Sequence, residues 1–493
     1  MSASRSVVST LSLLLVLHLL PVTAFAQTGA ASLTGIVSDQ SGAKVPGATV
    51  TATNQATNVA YTAVSNEAGN YSITSVPVGT YVLKAELSGF KTATTNPIDV
   101  EAKAIVRMDF TLQLGAIEET ILVAGESPLL QTESVTVGEV ISGTTVVALP
   151  LNGRNTGQLS LLLPGTVTVN PGSFTNVRNF GAGRPYVNGN REQTNNYMVD
   201  GVDMNESIDN LVAYQPSPDA LAEISVETNN YAADTGNVAG AVISNVTKSG
   251  SNVVRGNVFE FYRNSDFDAN TWDNNRSNAP KAQRTQHIFG GTLGGPLKKD
   301  KWFLFGDYQG TRFDAPGSET ASVAPASWRG GDLSTAGVTV RDPLTGVPFA
   351  GNQIPVGRIT PIARAILGNT SLYPLPNRTV SGGVSGNFVG DALTTIRAHQ
   401  GDARLDWNAT TKDKIFGRFS FAEYDSRNDK RPFPLLLGSL TDSPFRNVAF
   451  NWNRIFSSAV VNELLVGFNQ ITIVTKALDW AGIGNANATF GIA

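Results

Sequence analysis

Beyond one short apolar run near its start, the 493-residue chain has no stretch with which to cross a membrane as a helix, since a spanning helix needs about 20 consecutive apolar residues. That run, Leu11–Leu20 (LSLLLVLHLL), is itself too short. Arg5 precedes it, Pro21 breaks it, and Ala24-Phe25-Ala26 supplies the small-x-small pattern of a cleavage site between Ala26 and Gln27. The reading is an exported chain whose residues 1–26 are removed. If such a chain enters a bilayer, it must do so with strands closed into a barrel, because hydrocarbon offers backbone groups no other partner.

The stretch His287–Gly310 (HIFGGTLGGPLKKDKWFLFGDYQG) tests that idea. Gly290 and Gly295 have the spacing of a phosphate-binding loop, but Pro296 stands where the phosphate-reaching lysine belongs. The run KWFLFGDYQG, Lys301–Gly310, alternates too strictly for a helix. Trp302, Leu304, Gly306 and Tyr308 share one face of a strand, and Phe303, Phe305, Asp307 and Gln309 the other. The stretch reads as strand, polar turn (Leu297–Lys301), strand. Trp302 and Tyr308 are candidate membrane-interface aromatics. Their separation, about 20 Å along a strand, nearly matches the roughly 25 Å apolar band between the aromatic girdles of an outer-membrane barrel.

Composition removes several functions. Charged residues make up 15% and the net charge is -4, which is no footprint for nucleic acid. There is no cysteine, so thiolate metal sites and disulfide frameworks are excluded. Three histidines (His18, His287, His399) make no metal centre, and no H-x-x-E or H-E-x-x-H site exists. Neither catalytic residues nor a cofactor is expected. Gly 48 and Pro 24 suit strands joined by many turns.

From Ser32 to Leu114 about seven short strands alternate with Gly/Pro turns, the pattern of a small β-sandwich. Gly35-x-Val37-x-Asp39, Pro46-Gly47-Ala48, Asn54, Gly69-x-Tyr71, Gly79-x-Tyr81 and Gly89-Phe90 resemble the carboxypeptidase regulatory-like domain. The resemblance implies an accessory module without catalytic residues. That family is structurally similar to some sugar-binding sandwiches, which leaves carbohydrate binding as an open alternative.

Gly115–Ser127 (GAIEETILVAGES) has two readings. It is either the last strand and linker of the sandwich, or an extended segment that adds to a partner's sheet edge. Glu118, Glu119, Thr120, Ile121, Leu122, Val123 and Ala124 resemble the TonB box of outer-membrane receptors. In Pro128–Asn252, TGQLSLLLPG reads as a short helix and Asp200-Gly201 as a tight hairpin turn. SPDALAEISVET reads as a helix capped by Ser217, followed by a strand. Arg154 reads as a solvated arginine in a turn. Asp200, Asp203, Glu206 and Asp209 lack the spacing of a calcium loop. The phrases ESPLLQTESVTVGEVI, LPLNGRN, NYMVDGVDMNE and VETNNYAADTGNVAGAVISNVTKSGSN resemble the plug of TonB-dependent receptors of the Oar-like branch.

After Val253 the chain alternates repeatedly. Ala403, Leu405 and Trp407 oppose Asp402, Arg404 and Asp406; Ile415, Gly417, Phe419 and Phe421 face outward. Arg418, Ser420 and Glu423 need a wet or paired environment. Thr311–Ala398 reads as a large extracellular loop with a short helix near Ile362–Leu367. Its phrase IPVGRITPIARAILGNTSLYPLPN, like GGTLGGPLKKDKWFLFGDYQGTR, resembles an Oar-like landmark. Seven or eight candidate strands fall short of the 22 of plugged transporter barrels, so a C-terminally incomplete receptor is expected.

The expected fold is mainly β. It comprises a signal peptide (1–26), an Ig-like or prealbumin-like β-sandwich (30–114) and a linker with the TonB-box candidate (115–127). An α+β plug (128–252) and the first part of an antiparallel transmembrane β-barrel (253–493) come after these. The resemblance implies an outer-membrane receptor with its sandwich in the periplasm. Its partners would be a TonB-type energy-coupling complex, outer-membrane lipid and an unidentified solute such as a siderophore, peptide or oligosaccharide. The alternative is a secreted or surface β-sandwich protein with a carbohydrate-binding or adhesive role.

Overall fold

Alternating side chains sort this chain into sheets, and three β bodies result. The computed structural model describes residues 30–115, 120–123, 135–168, 184–231, 238–380, 384–430, 438–457, 460–478 and 484–492. The expected cleavage site at Ala26 and Gln27 lies outside them.

The first body is the sandwich. Ala31–Asp39 pairs antiparallel with Asn70–Val76 and parallel with Ile105–Arg107 and Phe110–Leu112. The second sheet is built on Thr49–Asn54, Ala60–Val64, Gly79–Glu86 and Thr92–Thr95. Every second residue of Ala31–Asp39 is buried, which sends Leu33 and Val37 into a core with Tyr71, Tyr81, Leu83 and Phe110. Between Ala31 and Leu112 the fold has nine strands rather than about seven, because three-residue strands leave too little alternation to detect.

The second body is a five-stranded mixed sheet. Its order is Val137–Ser142, Leu221–Asn229, Val242–Thr247, Asn196–Val199, Val202–Asp203. The Asp200-Gly201 turn has the form expected. Val199 pairs with Val202, and both turn residues have positive φ (46° and 81°), as a two-residue type I′ turn requires. The helix expected from Ser217 is instead a single 3₁₀ turn, Pro218–Ala220. Ser217 makes no capping bond there, and Leu221 already begins the strand. Pairing on both flanks, with Val137–Ser142 and Val242–Thr247, overrides the local helical preference.

The third body is a long antiparallel meander, here called the wall. Its seven staves are Arg255–Asn264, Thr285–Lys298, Trp302–Ala321, Phe388–Asn408 and Asp413–Lys430, then Ser439–Asp442 continued by Phe445–Ser457, then Val460–Ile471 continued by Val474–Ala477. The glycine-rich stretch His287–Gly310 is the hairpin between the second and third staves, closed where Lys298 pairs with Trp302. The long connection runs only from about Ser322 to Asn387, not from Thr311 to Ala398, and holds the helix Pro361–Gly368. The extra strand length escapes sequence reading because its outer face carries Arg312, Asp314, Arg397 and Thr395 while Phe313 and Ile396 lie on the other, which reverses the polarity seen at Trp302–Tyr308.

The wall has a wet inner face and an apolar outer one. Gln309, Thr311, Gln400, Asp402, Arg404, Arg418, Ser420, Asn447 and Asn451 are buried, while Val258 (91% exposed), Leu304, Tyr308, Phe419, Val448, Phe450, Val466 and Phe468 face out. A soluble sandwich shows the reverse; a membrane barrel shows this pattern. Pairing sets the outer rings in rows. Trp302 lies opposite Trp407, with rings stacked 4.7 Å apart, and the row continues through Ile415, Trp452 and Leu464. Further along, Tyr308, Gly401 and Phe421 form a second row. Beyond it the outer face turns ionic, with the pairs Glu260–His287, Asp314–Arg397 and Glu423–Arg446. Trp302 and Tyr308 thus stand in the two rows on the outer face. Phe450→Arg, placed between the two rows, is expected to lower wall stability in lipid by about 2–4 kcal/mol. Urea unfolding from vesicles checks this, and an unchanged midpoint would contradict a lipid-facing Phe450.

Candidate functional site: an ion-paired interface between inner sheet and wall

The mixed sheet presents two charged turns to the inner face of the wall. The first is Asp200. Its carboxylate accepts from Thr247 N (2.9 Å) and Thr247 Oγ1 (2.7 Å), which orients it toward the wall. There it meets Arg404 Nη1 at 3.3 Å and lies 2.8 Å from Arg418 Nε, with side chains 9% exposed or less. Arg404 also pairs with Asp406 at 2.9 Å, and its guanidinium lies over the Phe416 ring. Arg418 donates to the Val199 carbonyl (3.1 Å), Asn447 Oδ1 (2.7 Å) and Ser420 Oγ. Ser420 in turn donates to Asp402, which also accepts from Tyr214 at 2.8 Å. Burial pushes the Tyr214 phenol well up, assisted by Asp402, so it stays protonated as the donor. Its ring stacks on Phe445 of the wall at 4.9 Å.

The second turn is Asn152-Gly153-Arg154. Gly153 and Arg154 both have positive φ (66° and 56°), which aims the arginine inward. The expectation of a solvated Arg154 is wrong. Arg154 is buried, is paired with Asp219, and donates to Gln309 of the third stave at 3.2 Å. Its guanidinium lies 4.4 Å from the Phe259 ring centre and 4.5 Å from that of Phe261, both on the first stave. Asn257 of that stave also donates to Asp219. Burial pulls the Arg154 guanidinium below its ordinary value and Asp219 opposes this; an arginine stays charged regardless. The one-turn helix at Pro218 puts Asp219 in reach, so the misread element and the misread arginine have one cause.

The remaining polar contacts are spread along the wall. Gln400 donates to the Gln215 carbonyl (2.8 Å), Asn447 to that of Asp203 (3.2 Å) and Asn469 to that of Asn205 (3.1 Å). These hydrogen bonds join wall side chains to inner-sheet carbonyls, and beside them Ala422 and Phe445 of the wall enter the apolar core of the inner sheet. The two charged turns are the points at which losing a single side chain is costliest, because it leaves a buried charge without its partner.

The sandwich closes the end of the wall where the Lys298–Trp302 hairpin turns. Phe303 is buried in the sandwich core, Asn58 donates to Asp300 (3.1 Å), and Ser75 to Glu463 (2.7 Å). A cleft of about 130 Å³ opens where the three bodies meet, lined by Tyr61, Asp200, Arg404, Lys414, Phe416 and Asn453 among others. Against the mixed sheet, the sandwich offers Ala102 N to Glu223 (2.7 Å) and Lys103 to Glu227 (2.7 Å). Burial, with Glu101 and Asp99 nearby, pushes the Glu223 carboxyl from 4.5 up to about 7 against the pull of the Ala102 bond. A docked carboxyl that holds its proton more tightly than a free one makes docking proton-favoured. The contact is strongest below about 4.5 and weakens as pH rises through about 7. Raising the pH from 5.5 to 8 is expected to speed hydrogen exchange at Ala102–Ala104, and Glu223→Gln to flatten that response. An equal pH response in the variant would rule Glu223 out as its source.

Thr120–Val123 of the TonB-box candidate is a strand on the sandwich itself, parallel to Thr92–Thr95. Glu118, Glu119 and Ala124 lie outside the described residues. Among the described residues, no group of three or more His, Asp or Glu is arranged to hold a metal ion.

Comparison with known proteins agrees with this architecture. Residues 246–493, half the chain, match the outer membrane beta barrel domain family, and residues 32–113 match the carboxypeptidase regulatory-like domain. The TonB-dependent transporter Oar of Myxococcus xanthus is 29% identical over 302 residues, which cover 57% of this chain and 27% of that protein. The chain therefore spans about a quarter of this relative's length. Among solved structures, the outer membrane transporter YddB of Escherichia coli has a TM-score of 0.45 at 12% identity, covering 69% of this chain and 39% of that one. The ferric enterobactin receptor of Pseudomonas aeruginosa, in complex with enterobactin, has a TM-score of 0.37 at 13% identity, with 68% and 41% covered. The mainly β architecture, the inverted polarity of the wall and the family match over half the sequence agree: the chain belongs to the outer membrane beta barrel family.

Proposed function

We propose that this chain serves TonB-dependent transport of a solute across the outer membrane. In this reading the mixed sheet is a plug held on the inner face of the barrel wall, and the sandwich is a periplasmic accessory module. Glu118–Ala124 is the segment engaged by a TonB-type energy-coupling complex. The observation that carries the reading is the polar, ion-paired seat of the mixed sheet on the wall, through Asp200 and Arg154. Such a seat is fixed by discrete ion pairs and hydrogen bonds that can break and re-form, which suits a plug that must rearrange under load. The similarity to a TonB-dependent transporter supports the same reading. The solute is a large or scarce one, of siderophore, peptide or oligosaccharide class, and no catalytic step is part of the function.

Deleting Glu119–Val123 from the chromosomal gene is expected to abolish energised uptake while leaving surface binding intact. The check is a panel of labelled ferric siderophores, peptides and oligosaccharides, scored for binding and for uptake. Full uptake by the deletion strain of a solute that the intact receptor imports would overturn the assignment.

A further inference from the structure

We propose that the sandwich is a latch on the inner sheet. It is seated on the wall and grips the sheet through the Ala102-Lys103 turn, so the sheet leaves its seat only after this turn has released Glu223 and Glu227. The purpose of the latch rests on the transport reading above, in which the inner sheet is a plug that moves; the contacts themselves do not.

The turn is built to reach another body. It joins Ile98–Val100 to Ile105–Arg107. A residue in a connecting turn ordinarily lies in water, yet Ala102 is 2% exposed. Lys103 has a φ of 59°, a left-handed backbone that side chains disfavour and glycine takes freely. A turn that only had to reverse the chain would carry glycine there, as at Gly47 and Gly69. Lysine brings an ammonium instead, 2.7 Å from the Glu227 carboxylate. The Ala102 amide beside it donates to Glu223 at 2.7 Å. Both glutamates lie on Leu221–Asn229, four residues apart and so on one face of that strand. Ile224 and Val226, on the other face, enter the inner sheet's own core. The latch thus holds the side of the strand that faces away from that core.

The other end of the latch is fixed to the wall. Phe303 of the third stave is buried within the sandwich core. Asn252, just before the first stave, donates from its backbone to the Ala56 carbonyl of the sandwich (2.9 Å) and from its side chain to Asp300 of the hairpin (2.7 Å). A shift of the inner sheet along the wall must therefore break one attachment or the other. The attachment to the wall buries a phenylalanine. The attachment to the sheet is one ion pair and one hydrogen bond, and Asp99 and Glu101 stand close enough to Glu223 to repel it. The turn is the weaker link and lets go first.

Hydrogen exchange of the full chain in detergent tests the latch. Three segments are followed: the turn Ala102–Ala104, the wall stave Phe388–Asn408, and Asn196–Val199, which lies two strands away from Leu221–Asn229 and so reports the sheet as a whole. Lys103→Glu is expected to speed exchange at the turn and at Asn196–Val199 by at least about fivefold and to leave the stave unchanged. Adding Glu227→Lys re-forms the pair with its charges exchanged and is expected to return both segments to within about twofold of the unmodified chain. The converse test ties the latch shut. The chain has no cysteine, so Lys103→Cys with Glu227→Cys supplies its only two thiols. Joining them with a short bismaleimide that contains a disulfide is expected to slow exchange at Asn196–Val199, and cutting that disulfide with reductant to restore it.

A Lys103→Glu chain whose turn opens while Asn196–Val199 exchanges as before overturns the latch, and the sandwich is then a passive attachment. So does a turn that Lys103→Glu leaves unchanged, a charge exchange that restores neither segment, or equal exchange in the tied and cut forms. No solute enters these measurements, so a negative result removes the latch and leaves the transport reading to the uptake assay.

Discussion

Arg418→Ala is expected to destabilise the seat of the inner sheet on the wall by about 3–5 kcal/mol, the range for removing one partner of a buried ion pair. The Arg418 side chain is fully buried and faces Asp200 at 2.8 Å and Asp402 at 4.0 Å. Alanine leaves both carboxylates in place, together with the Val199 carbonyl and Asn447 Oδ1 without their donor. Arg404 still faces Asp200, but Asp406 claims it too, so it does not neutralise the surplus. Arg418→Lys keeps the charge but not the fork that reaches Val199, Asn447 and Ser420 together, and is expected to lose part of the same energy. Adding Asp200→Asn to Arg418→Ala is expected to cost less than the sum of the two single changes, because one orphaned charge is removed with its partner. Hydrogen exchange of Val242–Thr247 in detergent reads the seat directly, since that strand abuts Asp200 through Thr247. Unchanged exchange in Arg418→Ala would show that the pair does not hold the sheet to the wall.

Which parts of this architecture are legible in the sequence depends on how far away the deciding residues lie. The faces of the third, fourth and fifth staves can be read, because strand alternation depends only on neighbouring residues; Phe303 and Asp402 point inward and Leu304 and Phe419 outward as the alternation requires. The Asp200-Gly201 hairpin is legible because few residue pairs tolerate two positive φ values in a row. Partners are less so. Arg418, Ser420 and Glu423 each need water or a counter-charge, yet Arg418 and Ser420 join the buried cluster and Glu423 pairs with Arg446 on the outer face. The choice between those outcomes is made by the neighbouring stave, far away in sequence. The same holds for the staves beyond Thr311 and before Ala398. Once the outer face leaves the apolar rows it carries Arg312, Asp314, Arg397 and Thr395 and the apolar residues Phe313 and Ile396 fall on the inner face, so the alternation changes sign even though pairing continues to Ala321 and Phe388.

Arg154→Ala is expected to have an effect of similar size, and its pattern separates an anchoring arginine from a merely solvated one. A solvated turn arginine costs within about 0.5 kcal/mol when truncated. Arg154 instead joins Asp219 of its own body to the first and third staves, through the rings of Phe259 and Phe261 and through Gln309. Alanine leaves the buried Asp219 carboxylate with Asn257 as a neutral donor and with Lys248, whose ammonium is bonded to the Asp219 backbone carbonyl, and strips the cation from two aromatic faces. A loss of about 3–5 kcal/mol is expected from the broken pair alone, and each ring contact adds about 0.5–2 kcal/mol. Arg154→Lys keeps a charge near Asp219 but neither the planar stack nor the bond to Gln309, so it is expected to fall between. The diagnostic comparison is a double-mutant cycle with Phe259→Leu, which keeps the apolar volume and removes the ring. If Arg154 ties the inner sheet to the first stave, the two changes are non-additive by at least about 0.5 kcal/mol. If Arg154 serves only Asp219 within its own body, they add. Because all six tryptophans lie beyond residue 253, and Trp302, Trp407 and Trp452 stand on the staves, indole fluorescence reports the wall and not the inner sheet, while hydrogen exchange at Leu221–Asn229 tracks the inner sheet. An anchoring Arg154 predicts that its loss frees the inner sheet at a lower denaturant concentration than the one at which the wall unfolds. A single coincident transition in Arg154→Ala, at the midpoint of the unmodified chain, would remove Arg154 from the set of residues that hold the inner sheet to the wall.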